Sequence, residues 1–196
     1  GNVLKKATQH IRALKSDGNE IEVETSGKKA VSYFKFQKMA PVQQHTIGDK
    51  PNFDDVARIA DHYMAGFAEG SWDKVSVAYM RYESNARQIP EIIQLLPLTP
   101  ESSDNEATGT LANYDFSPSA GEILDDLLPR SIKTTLFQAF NDSVVSENIM
   151  RMIAMKAATE NANDLSKDLR RDYNRARQAR ITTELTEIIS GAAALE

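Results

Sequence analysis

Hydrophobic positions in the last third of the chain recur by threes and fours without a break. Ala158, Ala162, Leu165, Leu169, Tyr173 and Ala176 fall on one helical seam, and its small members leave room for a second helix to approach closely. The seam loses phase before Ile181, Leu185 and Ile188, so a partner helix is expected to end or change there. Between Ser131 and Ser190 there is neither glycine nor proline, and strong helix formers dominate. Pro129 suits the entry of such a helix and Gly191 its C-terminal stop. About sixty residues at ~1.5 Å each span about 90 Å. A compact chain of 196 residues cannot cover a helix of that length end to end, which argues against an ordinary amphipathic helix packed on its own domain.

Ahead of this segment the periodicity alternates. Val3, Leu4, Ala7, Ile11 and Leu14 form one face of a helix, Gly18 breaks it, and Ile21 with Val23 alternate as a short strand. A helical pattern over Lys28 to Gln37 (Val31, Phe34) precedes a strand around Val42 to Thr46. Asn52, with Asp55 three residues on, caps a helix whose inner face is Phe53, Val56, Ala60, Tyr63 and Phe67, and Gly70 ends it. Lys74 to Glu83 and Gln88 to Leu98 read as strands, the second restricted to an edge or its ends by Pro90 and Pro97. Thr99 to Asn113 reads as a surface loop, Tyr114 to Phe116 as a short strand, and Ser117-Pro118 and Ser119 with Glu122 as overlapping starts of a helix through Leu128. Such alternation predicts an α/β fold with a mostly parallel sheet and flanking helices. The expected domains are 1–128, an α/β body, and 129–196, the long C-terminal coiled-coil-type helix.

Composition narrows the class. With 41% hydrophobic residues, 26% charged and a net charge of −5, the chain reads as a globular domain with an appendage, or as two small domains. No cysteine is present, which excludes disulfides, thiolate catalysis and cysteine-based zinc sites. No apolar run approaches the ~18 residues of a membrane span, so direct membrane insertion is not expected. Charge is segregated: Glu101 to Asp126 holds seven acidic residues and no basic one, whereas Leu165 to Ile181 holds Lys167, Arg170, Arg171, Arg175, Arg177 and Arg180 against Asp168 and Asp172. This basic rod lacks interleaved aromatics beyond Tyr173, so a solvated face or an acidic protein partner fits better than nucleic acid.

Catalytic patterns are missing. Gly27-Lys28-Lys29 lacks the upstream glycine of a phosphate loop, and neither G-x-G-x-x-G nor G-x-S-x-G occurs. His10, His45 and His62 lie in separate segments without paired-ligand spacing and read as fillers rather than metal ligands. Asp54-Asp55 and Asp125-Asp126 sit at or near helix ends and read as capping, dipole-complementing or simply solvated carboxylates rather than as catalytic pairs. Met150, Met152 and Met155 read as a packing cluster. No cofactor or metal site is expected.

Three consecutive pieces resemble the C-terminal signature of F-type ATP synthase γ subunits. These are M-K-A-A-T-x-N-A at Met155 to Ala162, Y-N-x-A-R-Q-A-x-I-T-x-E-L at Tyr173 to Leu185, and E-I-I-S-G-A-A-A-L at Glu187 to Leu195. A looser likeness covers L-L-P-L at Leu95 to Leu98, Y-D-F-S-P-S from Tyr114, and I-L-D-D-L-L-P-R to Arg130. The resemblance implies a Rossmann-like foot carrying a rotor shaft inside a ring of α and β subunits, with ε and the c-ring at the foot. Catalysis would belong to β, so this chain would not itself be an enzyme. It also implies a peripheral place at the cytoplasmic face of the bacterial inner membrane. By motif, Arg151, Arg177, Gln178, Thr182 and Glu184 would supply rotor–stator contacts or hold the shaft together.

One departure stands out. Family members begin with a long helix and a strand carrying Gly-Leu-Cys-Gly-Gly, whereas this chain opens at Gly1-Asn2-Val3, just beyond that motif. The expectation is a truncated γ subunit with an incomplete sheet and an unpaired shaft helix, prone to self-association; a naturally short homologue is the alternative. A nucleotide-binding α/β enzyme and a stand-alone coiled-coil scaffold are the other function classes in view.

Overall fold

The computed structural model describes residues 1–98 and 119–193. Its elements run α1 (Asn2–Ser16), β1 (Glu24–Ser26), α2 (Lys28–Phe36), β2 (Gln43–His45), α3 (Phe53–Ala68), β3 (Val75–Ser84), β4 (Arg87–Leu96) and α4 (Ala120–Ala193). The loop and strand expected over Thr99 to Phe116 lie outside the described residues. The α/β class is as expected. The strands, however, form two pairs: β1 with β2 in parallel, and β3 with β4 antiparallel. Only two residues, Asn85 and Ala86, join β3 to β4, and a parallel crossover needs a dozen or more. The first strand also lies later than Ile21 and Val23 suggest. Val23 only begins the pairing, its carbonyl accepting the Val42 amide at 2.8 Å, and the ladder proper runs from Glu24 opposite Gln43 to Ser26 opposite His45.

Pro90 sits inside β4, directly opposite Met80, and interrupts no ladder bond. At this pair the main-chain groups point outward, so the missing N–H would have faced away from β3. The outward groups are satisfied from neighbouring helices: Lys6 Nζ donates to the Pro90 carbonyl at 2.8 Å, and the Met80 amide donates to Ser143 Oγ on α4 at 3.3 Å.

The core joins α3, β4 and the early turns of α4. Val56 and Ala60 on α3, Leu95 and Leu96 on β4, and Ile132 and Leu136 on α4 form its buried centre, with Tyr63, Phe67, Val75, Val77, Phe137 and Phe140 packed around it. The α3 boundaries follow local chemistry: the Asn52 side chain accepts the Asp54 amide, and Gly70 follows the helix at φ +75°, a conformation open to glycine at little cost.

Helix α4 begins ahead of the expected entry at Pro129 and carries that proline inside it. Ser119 and Glu122 form a reciprocal capping box, each side chain accepting the other's amide at 3.3 Å. An interior proline removes one hydrogen bond and strains the preceding turn by ~3 kcal/mol. It does not end this helix, whose following turns are anchored through Ile132 and Leu136. Nor does Gly191 stop it, since the helical turns run on to Ala193. The chain divides into two compact units, Gly1–Glu147 and Asn148–Glu196, and the first takes in the opening turns of α4.

Candidate functional site

From Met150 to Ala193 every residue is exposed, so this stretch of α4 is surface on all sides. Leu165, Leu169 and Tyr173, members of the seam read from the sequence, are 61%, 60% and 67% exposed, too high for residues whose apolar area has been withdrawn from water. Together with Ala162, Ser166 and Arg170 they line a shallow open groove of about 380 Å³. Beyond the seam, Ile181, Leu185, Ile188 and Ile189 are also exposed.

Four of the five residues singled out by motif come together within two turns. Arg177 and Glu184 share one helical face with Ile181 and Ile188, while Gln178 and Thr182 share the adjacent face with Leu185 and Ile189. Within this patch, Thr182 Oγ1 donates to the Gln178 carbonyl at 2.9 Å and Arg180 Nε donates to Glu184 Oε1 at 2.9 Å. Thr182 and Glu184 are therefore engaged by their own helix, whereas the exposed Arg177 and Gln178 side chains lie on its open surface. Arg151 lies apart, about 40 Å along the axis at ~1.5 Å per residue. Its Nη1 donates to Asn148 Oδ1 at 3.2 Å. The patch presents charged, amide and apolar groups side by side on the exposed helix.

One constellation escaped the sequence reading. His45 of β2 and Tyr63 of α3 converge on a single oxygen of Glu24 in β1: His45 Nε2 lies 2.6 Å and Tyr63 Oη 2.8 Å from Glu24 Oε2. Only 12% of the His45 side chain and 14% of the Glu24 side chain is exposed. Burial first, then the hydrogen bond to Glu24 and its charge, pushes the Tyr63 phenol well above the ordinary tyrosine value. His45 is thus a half-buried hydrogen-bond partner of Glu24. No periodicity could have revealed this, because the three side chains come from three elements. Beside them, Trp72 stacks edge-on against His62 and Tyr63 and donates Nε1 to Glu22 at 3.3 Å.

Among the described residues, no three His, Asp or Glu side chains are grouped to hold a metal ion, and no helix is long and apolar enough to cross a membrane. A family model described as ATP synthase matches residues 1–195. The ATP synthase gamma chain of Rhodopirellula baltica is 41% identical over 201 residues, covering 100% of this chain and 68% of its own length. The chain belongs to the ATP synthase gamma family. The gamma chain of Leptospira biflexa, strain Patoc 1 / Ames, is 42% identical, covering 99% of this chain and 67% of its own length, so this chain spans about two thirds of the relatives it matches. Fold comparison agrees. A chain in the Euglena gracilis mitochondrial ATP synthase (OSCP/F1/c-ring) superposes with a TM-score of 0.60 at 19% identity, covering 96% of this chain and 67% of that one. A chain in the central stalk and c-ring of the Tetrahymena thermophila mitochondrial ATP synthase gives 0.56 at 17% identity, covering 81% and 70%.

Proposed function

We propose that this chain works as the central-stalk rotor subunit of an F-type ATP synthase, coupling ion-driven rotation of the c-ring to conformational change at the catalytic β subunits, with no catalytic step of its own. The observation that carries this reading is α4: a γ-family sequence in which one helix serves both as part of a packed α/β body and, from Met150 onward, as a rod exposed at every residue described. A helix with no buried face beyond its own domain must find its partners in an assembly. In this reading residues 1–128 supply the foot, facing the c-ring and ε, and residues 129–196 the shaft, facing α and β. The assembly lies peripherally on the cytoplasmic face of a bacterial inner membrane.

Arg177 and Gln178 are the residues placed against the inner surface of the α/β ring, with Thr182 and Glu184 shaping the same patch and Arg151 making a separate contact lower on the shaft. Their contacts must form and break as the rotor turns, so each biases a dwell rather than making a permanent bond. The isolated chain also carries an unpartnered seam. At about 25 cal/mol per Å², a few hundred Å² of covered apolar surface contributes several kcal/mol, enough for two copies to associate through Leu165, Leu169 and Tyr173.

Affinity purification of the tagged full-length subunit from native membranes tests the assignment. Recovery of α, β, ε and c subunits in one complex is expected; recovery of the tagged subunit without α and β would overturn it. Sedimentation of the isolated chain as a monomer at micromolar concentration, with its helix intact by circular dichroism, would refute the self-association.

A further inference from the structure

Ile132, Leu136, Ala139, Ser143 and Ser146 follow one another by fours and threes and form a single stripe along α4. Its first three members are buried at 4%, 2% and 2% exposure, as a packing stripe should be. The stripe then turns polar. Ser143 occupies a position where an apolar side chain would continue the core, and its hydroxyl is fully used: Oγ donates to the Ala139 carbonyl at 2.9 Å and accepts the outward Met80 amide of β3 at 3.3 Å. At the other end of the stripe, Lys133 Nζ meets Asp61 Oδ1 of α3 at 2.8 Å. The Lys133 side chain is 25% exposed and that of Asp61 54%, so this is a partly solvated pair. Two directional contacts thus tie α4 to two different elements of the body, about 15 Å apart along the axis.

We infer that Ser143–Met80 and Lys133–Asp61 are the torque-bearing fasteners that hold the shaft helix at a set rotational angle on its foot. The inference rests on the rotor reading above and names the residues through which that rotor transmits load. The close-packed Ile132–Leu136–Ala139 face resists both lifting and twist of α4, and the two polar contacts add directional restraint beyond it. Hydrogen bonds lose strength steeply with distance and angle. With Cα atoms about 2.3 Å from the axis and the hydroxyl about 2 Å further out, a twist of ~20° carries Ser143 Oγ about 1.5 Å. That displacement takes the Met80 contact beyond hydrogen-bonding range. Ser143 and Lys133 are therefore positioning residues: they set the stiffness of the joint rather than contacting the catalytic subunits.

The test is single-molecule rotation of the intact ATP synthase, with the α/β ring immobilised and the probe on the c-ring, carrying Ser143→Ala, Lys133→Gln or both in the full-length subunit. Assembly yield is expected to match the parent, and the angular variance during catalytic dwells should widen in the double variant as the directional contacts are lost. Ser143→Thr and Lys133→Arg, which keep the donors and acceptors, are expected to restore the parental spread. Lys167→Ala, on the exposed rod, is expected to leave it unchanged. A double variant that assembles and shows the parental spread overturns the inference, as do conservative variants as soft as the deletions. Should Ser143→Ala fail to assemble, Lys133→Gln alone decides by the same criterion. Failure of the parental subunit itself to join the complex would overturn the rotor reading instead.

Discussion

Replacing Gly66 by alanine puts two opposing effects on one atom. In the interior of a helix alanine is better than glycine by about 1 kcal/mol, so propensity alone predicts stabilisation. The structure predicts the reverse. A methyl group on Gly66 would lie 2.8 Å from Trp72 Cη2 and closer still to Cζ3 and Cε3. Restoring ordinary carbon contacts needs a ring displacement of about 1.5–2 Å. Such overpacking costs about 1–3 kcal/mol. The displacement also loosens the edge contacts of Trp72 with His62, 5.2 Å between centroids, and Tyr63, 6.1 Å. Aromatic pairs of this kind contribute ~0.5–1.5 kcal/mol each.

The balance is a loss of about 2 kcal/mol for Gly66→Ala. Gly121→Ala is the control: that glycine also lies in a helix, and an added Cβ meets nothing within 4 Å, so stability should hold or rise by up to about 1 kcal/mol. Trp72 is the chain's one tryptophan, so urea unfolding followed by its emission reads both the stability and the environment of the ring. Gly66→Ala should unfold at lower urea with native emission shifted to the red. A variant at least as stable as the parent, with unchanged emission, would show that the ring does not press on the helix.

Three further outcomes are expected. In the full-length subunit, Arg177→Ala or Gln178→Leu should slow steady-state turnover about 10- to 150-fold if a charge-assisted hydrogen bond of ~1.5–3 kcal/mol is lost only in the rate-limiting dwell; Lys167→Ala should change little, and rates within about twofold for all three would remove the special role of this motif. Because the Tyr63 phenol is raised in the folded state, its contribution to stability is present below pH ~10 and declines as pH climbs toward the raised value; Tyr63→Phe should flatten the alkaline fall seen by thermal unfolding between about pH 9 and 11, and an unchanged slope would refute it. Ser146 Oγ is buried without a hydrogen-bond partner among the described residues, so Ser146→Ala should stabilise the body by about 1 kcal/mol in the same urea assay, whereas a loss of that size would mean that the hydroxyl is satisfied.

Short-range signals made much of this protein legible before its structure. The Asn52 cap, the Ser119–Glu122 capping box, the α3 face carrying Val56 and Ala60, and the long run of helix formers after Ser131 each depend on residues within a turn or two of one another, where spacing dictates geometry. The exposed rod and its Arg177–Glu184 patch were readable for the same reason, since one helix places i, i+4 and i+7 together without help from the rest of the fold.

Strand pairing, the passage of α4 through Pro129 and the sharing of Glu24 were decided elsewhere. Glu24 meets residues 21 and 39 positions away, and Ser143 meets an amide 63 positions away. No local preference encodes such encounters, because they depend on which elements the collapsing core brings side by side. Pro129 illustrates the balance: its local preference is to start a helix, yet helical turns precede it, and the turns that follow gain burial of Ile132 and Leu136 against α3 and β4. Periodicity therefore determined which faces were available, and tertiary packing determined which polar groups met across them.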